Sequence, residues 1–324
     1  MYDQSAVAVI VPVYNRARTI METLRSVARQ SHPPAHLLIV DDGSTDDLTR
    51  HIARWRDSEK PVFPVTLTRK ENAGAASARN FGLTLAGNIP LIAFLDSDDC
   101  WPVDFLERTT RILAMRPDAV AVSGDQLMVD FATGNRQHID LSKLPRCPIT
   151  WMFKHGAGIG SATLMRHAIV RELGGYPEQV PTGHDIDLFF RLTQRGPWLF
   201  APGQPVEMGR NCGRLAGEHD HLCRSQKNFQ AHWAGVYEDV SRRERLADVL
   251  PRRFLAKQLA RRWYRAARQW ERLKERDAAI DCYRRSFAHR LTIATWLRLH
   301  LLMWKSRKPM RVEVRVEVAR KNSV

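Results

Sequence analysis

The chain of 324 residues is predicted to fold as an α/β protein with a doubly wound, mostly parallel sheet flanked by helices, followed by a basic helical C-terminal region. Three observations predict this. Short apolar runs alternate with helical segments in the first part of the chain. Polar clusters follow several of these runs directly, at the strand ends where sheets of this kind bind ligands. The last part combines arginines with leucine, alanine and tryptophan at helical spacing.

The first part of the pattern contains four strands and four helices in alternation. The strands are predicted at residues 6–13, 37–40, 62–68 and 90–95; the third of these alternates, and the others are apolar runs suited to buried strands. The helices are predicted at residues 17–30, 46–56, 75–86 and 102–115. Asn72 is predicted to cap the third helix, and Pro102 lies in the first turn of the fourth. Strand-helix repeats with short links predict the parallel sheet.

Beyond residue 118 the alternation loosens. Strand-like pieces at 119–123 and 161–165 stand among glycine-rich loops, and a helix is predicted from about residue 184 to 194. Residues 241–304 have the pattern of helices, and residues 311–318 alternate as an exposed or edge strand. We therefore expect a unit at residues 1–240, with halves at about 1–125 and 126–240, followed by a helical region at 241–324.

The net charge is +15 at pH 7, from 50 Lys and Arg residues against 35 Asp and Glu residues. Such an excess usually indicates a polyanionic partner. It lies in residues 241–324, which hold 24 basic and 8 acidic residues, whereas residues 1–240 hold 26 and 27. The positive charge therefore characterises the helical region and not the body.

The cysteines and apolar runs bear on the compartment. Five cysteines, an odd number with no C-x-x-C pair, disfavour a disulfide framework or a structural zinc site and favour a reducing compartment. No apolar stretch reaches the roughly 18 residues that a membrane span needs, and the run at 6–13 is too short for a signal sequence. We expect a cytoplasmic protein, with peripheral attachment to the inner face of a membrane as the alternative.

Asp96, Asp98 and Asp99 follow the fourth predicted strand. Three carboxylates this close repel one another unless a cation or hydrogen-bond donors neutralise them. Mg²⁺ and Mn²⁺ prefer oxygen ligands and are typically held by one or two carboxylates together with substrate phosphates. The alternative is an acidic helix start favoured by the helix dipole. A second acidic pair after the second strand, Asp41 and Asp42, disfavours that alternative.

Familiar phosphate-binding loops are missing from the sequence. It contains no Gly-x-x-x-x-Gly-Lys-Ser/Thr loop, which disfavours a Walker-type ATPase. No Gly-x-Gly-x-x-Gly follows the first strand, which disfavours a dinucleotide-binding fold.

Four motifs stand in order along the first hundred residues. They are VIVPVYNR at 9–16, IVDDGSTD at 39–46, NAGAASARN at 72–80 and FLDSDD at 94–99. In this order and spacing the chain resembles a family 2 glycosyltransferase with the GT-A fold, over about residues 6–220. The resemblance implies an inverting, metal-dependent enzyme. Such an enzyme moves a sugar from a nucleotide-diphospho-sugar, here a UDP-sugar, to a glycan or glycolipid acceptor in surface polysaccharide biosynthesis.

The resemblance also implies roles for individual residues. It implies a nucleobase pocket lined by Pro12 and Tyr14, with the tyrosine stacking on the base. It implies that Asp42 accepts the imide hydrogen of uracil and that Asp41 supports the loop. The metal ligand that it implies is Asp98, holding Mn²⁺ or Mg²⁺ between the two phosphates. The remaining donor-binding residues that it implies are Asn15, Arg79, Asp96, Ser97 and Asp99.

The acceptor hydroxyl needs a general base, which the family places in a Gly-Glu-Asp-x-Asp motif at a helix start. The matching stretch is GHDIDLFFR at 183–191. Asp185 therefore matches the base, and His184 stands where the family usually has glutamate. Asp187 is the fallback base, and the alternative for Asp185 is a purely structural carboxylate at the helix start.

Two late histidines and two cysteines are weaker candidates for the site. His219 and His221 could contact the metal or diphosphate, although surface loop positions fit them better. Cys212 and Cys223 lack the paired spacing of metal ligands.

The basic region admits three interpretations. It is a solvated helical cap on the body, or a set of basic amphipathic helices whose Trp and Leu side chains bind an anionic membrane. Nucleic-acid binding is disfavoured because no recognised module accompanies the charge.

Other functions compete with the enzyme implied above. Transfer to a polyprenyl phosphate is the competing function within the fold. The non-enzymatic alternative is a basic, membrane-associated adaptor with a degenerate transferase body. The complete set of acidic residues favours the enzyme. His184 departs from the family motif and leaves the adaptor as an alternative.

Overall fold

The computed structural model describes residues 3–156, 159–180, 182–210 and 229–304. Four strands form one side of its sheet: β1 (Val7–Val13), β2 (His36–Asp41), β3 (Val65–Arg69) and β4 (Leu91–Phe94). They lie in the order β3-β2-β1-β4, and all three pairings are parallel. The connecting helices are α1 (Ile20–Ala28), α2 (Leu48–Glu59) and α3 (Ala75–Leu85). The predicted alternation of strands and helices is confirmed.

The chain then extends the sheet with strands of mixed direction. The elements that follow are β5 (Asp99–Cys100), α4 (Phe105–Met115), β6 (Ala121–Asp130), β7 (Arg136–Ile139), α5 (Ile149–His155), β8 (Thr163–Arg166), α6 (His167–Glu172), α7 (His184–Leu192) and β9 (Trp198–Arg210). β8 runs antiparallel to β4 and continues the sheet to β6, β9 and β5, while β7 pairs with β6. The fold is therefore α/β with a mixed sheet, in agreement with the predicted class. The sequence pattern does not predict β9, because prolines and glycine interrupt its apolar residues.

Both faces of the sheet are covered. β1 is buried along its whole length, and its residues alternate between two cores. Val9 and Val11 pack with α1, α2 and α4 on one face, while Ala8 and Ile10 pack with α3 on the other. α3 can approach β1 closely because it carries Gly82, where an added Cβ would lie 2.4 Å from Ile10 Cγ2. This packing fixes the loops at the carboxyl edge of the parallel strands.

The C-terminal helical region is α8 (Phe229–Arg243), α9 (Arg252–Arg272), α10 (Arg276–His289) and α11 (Ile293–Trp304). α8 crosses residue 240 and packs into the body, where Tyr237 is buried against Phe153 and Phe190. The Arg262 guanidinium of α9 lies 3.2 Å from the centroid of the Tyr237 ring and donates to the Phe153 carbonyl oxygen at 2.7 Å. Burial lowers the pKa of Arg262 to about 10. The first two helices of this region are therefore part of the body's core, and the domain division at 240 stays a prediction.

Among the residues that the structure describes, no helix is long and apolar enough to cross a membrane. Cys147 and Cys282 in this part of the chain are free cysteines. Several predictions fall outside the described residues, namely those on Cys212, His219, His221, Cys223 and the strand at 311–318.

Candidate active site

The loops that follow β1 and β2 are tied to each other. The backbone N–H of Asn15 donates to the Ser44 hydroxyl at 2.9 Å, and the side-chain oxygen of Asn15 accepts from the Thr45 N–H at 2.7 Å. Asn15 adopts a left-handed backbone conformation with φ of +50°, which asparagine tolerates better than most residues. Pro12 is buried in β1, whereas Tyr14, next to these hydrogen bonds between the two loops, is 38% exposed. The Tyr14 ring is thus placed where a flat ligand could stack on it.

Asp41 and Asp42 are buried and are hydrogen-bonded within the protein. Asp41 accepts from the Ser44 N–H at 2.7 Å. One oxygen of Asp42 accepts from Lys70 at 2.8 Å and from the Ala73 N–H at 3.0 Å, and the other accepts from the Gly74 N–H at 2.7 Å.

α3 begins at Ala75, as predicted, but its cap differs from the prediction. The N-cap residue is Gly74, which makes no side-chain cap bond, so the predicted cap by Asn72 is wrong. The carboxylate of Asp42 satisfies the free N–H groups before the helix instead.

The loop after β4 carries the acidic cluster. Asp98 pairs with Arg16 of the β1 loop at 3.0 Å, and both side chains are largely buried. The backbone N–H of Asp96 donates to the Ser161 hydroxyl at 3.1 Å, which fixes this loop against the start of β8. Ser97 is buried between the two aspartates. The two loops and the cluster therefore meet at one edge of the sheet, as the sequence predicts.

Asp99 is the most buried member of the cluster. One of its oxygens accepts from the Gly209 N–H at 2.9 Å, and the other, Oδ2, is buried without a hydrogen-bond partner among the described residues. Burial raises the pKa of Asp99 well above its usual range, and the negative charges of Asp98 and Asp96 raise it further.

The donor set at this edge can be tested against a divalent cation. In the described part of the chain, no group of three or more His, Cys, Asp or Glu residues has a metal-binding arrangement. A hard cation that shares its shell with substrate phosphates needs only one or two carboxylates. The Asp98 carboxylate and the neighbouring unsatisfied Asp99 oxygen fit that smaller requirement.

A buried arginine links the acidic cluster to α7. Arg79 on α3 donates through Nη2 to Asp96 at 2.5 Å, and its Nη1 lies 2.6 Å from His184 Nε2. Its guanidinium lies 5.3 Å from the centroid of the Tyr176 ring. Burial opposes the charge of Arg79, but the negative charges of Asp96 and Asp185 outweigh it and raise the pKa of Arg79. Asp96 and Asp185 therefore both lie near one buried cation.

The two aspartates of α7 have different surroundings. Asp187 is buried and pairs with Arg191 at 2.7 Å and with Arg243 of α8. The Asp185 side chain is 31% exposed. Gly183 starts the helix with φ of +85°, and an added Cβ there would lie 3.0 Å from the Trp233 ring. α7 is therefore held by α8, and Asp185 is the aspartate of this helix that remains accessible.

The structure adds residues that motif reasoning leaves without roles. Arg16 and Lys70 neutralise Asp98 and Asp42, and Ser161 fixes the acidic loop. Arg16 stands inside the first motif, so its neighbourhood is visible in the sequence. Lys70 and Ser161 lie outside the four motifs, and only the fold brings them to this edge.

The fold and this edge define a class: an α/β protein whose sheet carries an acidic Asp-x-Asp-Asp loop and a separate helix-start aspartate beside one arginine. The model of the family described as glycosyl transferase family 2 matches residues 8–174, slightly more than half of the chain. The chain belongs to this family.

Relatives agree with the family assignment. The chain is 39% identical over 127 residues to the putative teichuronic acid biosynthesis glycosyltransferase TuaG of Bacillus subtilis, a stretch that is 39% of this chain and 49% of TuaG. It is 38% identical over 105 residues to WfgD of Escherichia coli, a UDP-Glc:alpha-D-GlcNAc-diphosphoundecaprenol beta-1,3-glucosyltransferase, covering 32% of this chain and 40% of WfgD. The chain thus matches about half or less of the length of these relatives.

A solved structure extends the likeness to the helical region. S. aureus TarS 1-349 in complex with UDP-GlcNAc superposes with a TM-score of 0.68 at 18% identity, over 93% of this chain and 88% of that chain. At this identity the likeness establishes a shared fold, GT-A with additional C-terminal helices.

Proposed function

We propose that this protein is an inverting, metal-dependent glycosyltransferase that uses a UDP-sugar and acts on a glycan or glycolipid acceptor in surface polysaccharide biosynthesis. The observation that carries the proposal is the pair of contacts made by Arg79. They join Asp96 in the acidic loop after β4 to His184 at the start of α7. The reaction needs a donor-binding carboxylate and a base close to one another, and Asp96 and Asp185 both lie near enough to this arginine to raise its pKa. Family membership and the names of TuaG and WfgD support it.

The donor would lie across the edge of the parallel strands. Tyr14 stacks on the base, Asp42 with its one remaining acceptor position faces the imide, and Asp96 holds the ribose or sugar. Asp98 would hold Mn²⁺ or Mg²⁺, which supplies charge neutralisation to the departing diphosphate.

The chemical step needs one base and no covalent intermediate. The acceptor oxygen forms a bond to the anomeric carbon from the side opposite the phosphate. The bond from that carbon to the phosphate oxygen breaks, the nucleoside diphosphate leaves with the electron pair, and the acceptor proton moves to Asp185. Because Asp187 is already shared by two arginines, Asp185 is the better base.

A donor screen tests this proposal. The purified full chain is incubated with UDP-, GDP- and dTDP-sugars, with Mn²⁺ or Mg²⁺, and release of each nucleoside diphosphate is measured with lipid-linked and soluble glycan acceptors. We expect UDP release above all, dependent on the metal. Absence of release and of calorimetric binding for every donor would contradict the transferase and leave the adaptor. Preference for a polyprenyl phosphate acceptor would select the competing reaction.

We further propose that the basic region contacts an anionic membrane through α11. The inner face of this helix is marked by the buried Thr295 and Leu299. Its outward face is apolar, and Ile293 and Trp304 are 76% and 72% exposed. Residues 291–304 contain no acidic side chain, and residues 305–324 contain seven Lys or Arg against two Glu. An apolar helix face with tryptophan and adjacent basic sequence is typical of anionic lipid binding.

Point variants of the full chain test this contact, since α8 and α9 belong to the body's core. Sedimentation with vesicles of phosphatidylglycerol and phosphatidylcholine should show binding that weakens with salt and falls at least about tenfold in the Ile293→Ser, Trp304→Ser double variant. Val249→Ser, at another exposed apolar position, is the matched control and should bind normally. Equal binding by the double variant, or dimers that this variant abolishes, would refute the membrane contact.

A further inference from the structure

His184 occupies the position at which this chain departs from its family, and the structure gives it a defined task. Its side chain is only 12% exposed. The Nε2 atom lies 2.6 Å from Arg79 Nη1 and 3.7 Å from Asp185 Oδ1. The ring also stands edge-on to Tyr176, with 5.6 Å between centroids. His184 is therefore packed between the arginine and the accessible aspartate of the site.

The contact with Arg79 settles the protonation of the ring. A guanidinium has five N–H donors and no acceptor, so Nε2 must be the acceptor and cannot carry a proton. Burial lowers the pKa of His184, and Arg79 lowers it further, against the opposing charges of Asp185 and Asp96. The imidazole is thus a neutral acceptor beside Arg79.

We propose that His184 is a positioning residue of the donor site, holding the Arg79 guanidinium against Asp96 through a neutral hydrogen bond. The proposal rests on the transferase function proposed above. Two adjacent nitrogens of the guanidinium have fixed partners, one on α7 and one in the acidic loop. A planar group bonded at two points is restricted in its rotation, so the nitrogen that donates to Asp96 is kept in place. The neutral ring does this without adding another negative charge beside Asp185.

Three substitutions separate the acceptor from the shape of the ring. His184→Gln places an amide oxygen near the position of Nε2, His184→Leu has similar bulk without an acceptor, and His184→Asn has an acceptor that stops short of Arg79. Donor affinity by calorimetry and kcat/KM for the donor should fall about tenfold or more in the Leu and Asn variants. The Gln variant should stay within about threefold of the native protein. His51→Leu, at a half-buried histidine of α2 outside the site, is the control and should behave as the native protein does.

The outcomes separate this inference from the function on which it depends. Native-like affinity in His184→Leu, or equal losses in the Gln and Leu variants at unchanged unfolding temperature, would overturn the positioning role. If His184→Leu does not fold, the Gln and Asn variants decide between the same two results. If the native protein binds no nucleotide-sugar, the transferase proposal fails first, whatever the variants do.

Discussion

The loops after β2 and β4 both place adjacent aspartates at the same edge of the sheet, yet the protein treats their charges differently. Asp42 accepts from Lys70 and from two backbone N–H groups. Asp99 accepts one hydrogen bond, keeps one oxygen without a partner among the described residues, and is repelled by two carboxylates. The same sequence signature therefore marks one loop whose buried carboxylate is fully engaged by donors and another whose most buried carboxylate keeps an oxygen without a partner among the described residues.

The largest effect is expected from Asp98→Asn. This change keeps the size of the side chain but removes the charge that would hold the metal, so nucleoside diphosphate release should fall about a thousandfold or more. The unfolding free energy should change by less than about 1 kcal/mol, because the weaker pair with Arg16 is offset by less repulsion within the cluster. Steady-state release with Mn²⁺ and urea unfolding measure both. Native-like turnover would remove Asp98 from the metal site.

Asp185→Asn should lower turnover about a hundredfold or more, since it removes the base but leaves the helix start intact. Asp187→Asn is its matched control on the same helix. It breaks two arginine pairs, so it should mainly lower the unfolding temperature. The reverse result, a stable but inactive Asp187→Asn protein beside an active Asp185→Asn protein, would assign the base to Asp187.

Asp42→Asn should lower the stability of the fold, and the size of this loss sharpens the contrast between the two loops. The amide loses the ion pair with Lys70 and can no longer offer two oxygens to the start of α3. The expected loss is about 1–3 kcal/mol in the free energy of unfolding. Urea titration beside the Asp98→Asn protein measures it. Equal stabilities of the two variants would mean that the loops do not differ in this way.

The sequence predicts the frame of the site better than its internal contacts. β1, β2 and β4 are continuous apolar runs, and each is followed by its polar motif, so both the strands and the edge at which the motifs meet can be foreseen. Arg79 is foreseen as a donor-site residue only through the resemblance. Its bond to His184 joins residues 105 positions apart, and no local pattern encodes such a pairing.

The helical region shows the same limit of prediction from sequence. Periodicity predicts its helices but does not tell an apolar face that packs on the protein from one that stays exposed. α9 buries Leu255, Leu259 and Trp263, whereas α11 leaves Ile293 and Trp304 exposed. Only the position of each helix against the body decides between these outcomes.

The smallest effect expected is a pH dependence carried by His184. Its pKa is lowered in the folded protein, chiefly by burial, so the unfolded chain binds the proton more readily. The stability that it contributes is complete above about pH 6.5, the ordinary imidazole value, and is lost as the pH falls through the lower folded pKa. Arg79, Asp96, Asp185 and Tyr176 face the ring and are the same in the His184→Gln protein.

Urea unfolding of the native and His184→Gln proteins between about pH 7.5 and 5 isolates the stability that His184 contributes. His36 and His167 also have pKa values lowered by burial, but both variants contain them, so their contributions cancel in the difference. We expect the native protein to lose more stability than His184→Gln as the pH falls. Parallel curves would mean that the ring accepts its proton without losing Arg79. The neutral hydrogen bond would then not be what holds the arginine against Asp96.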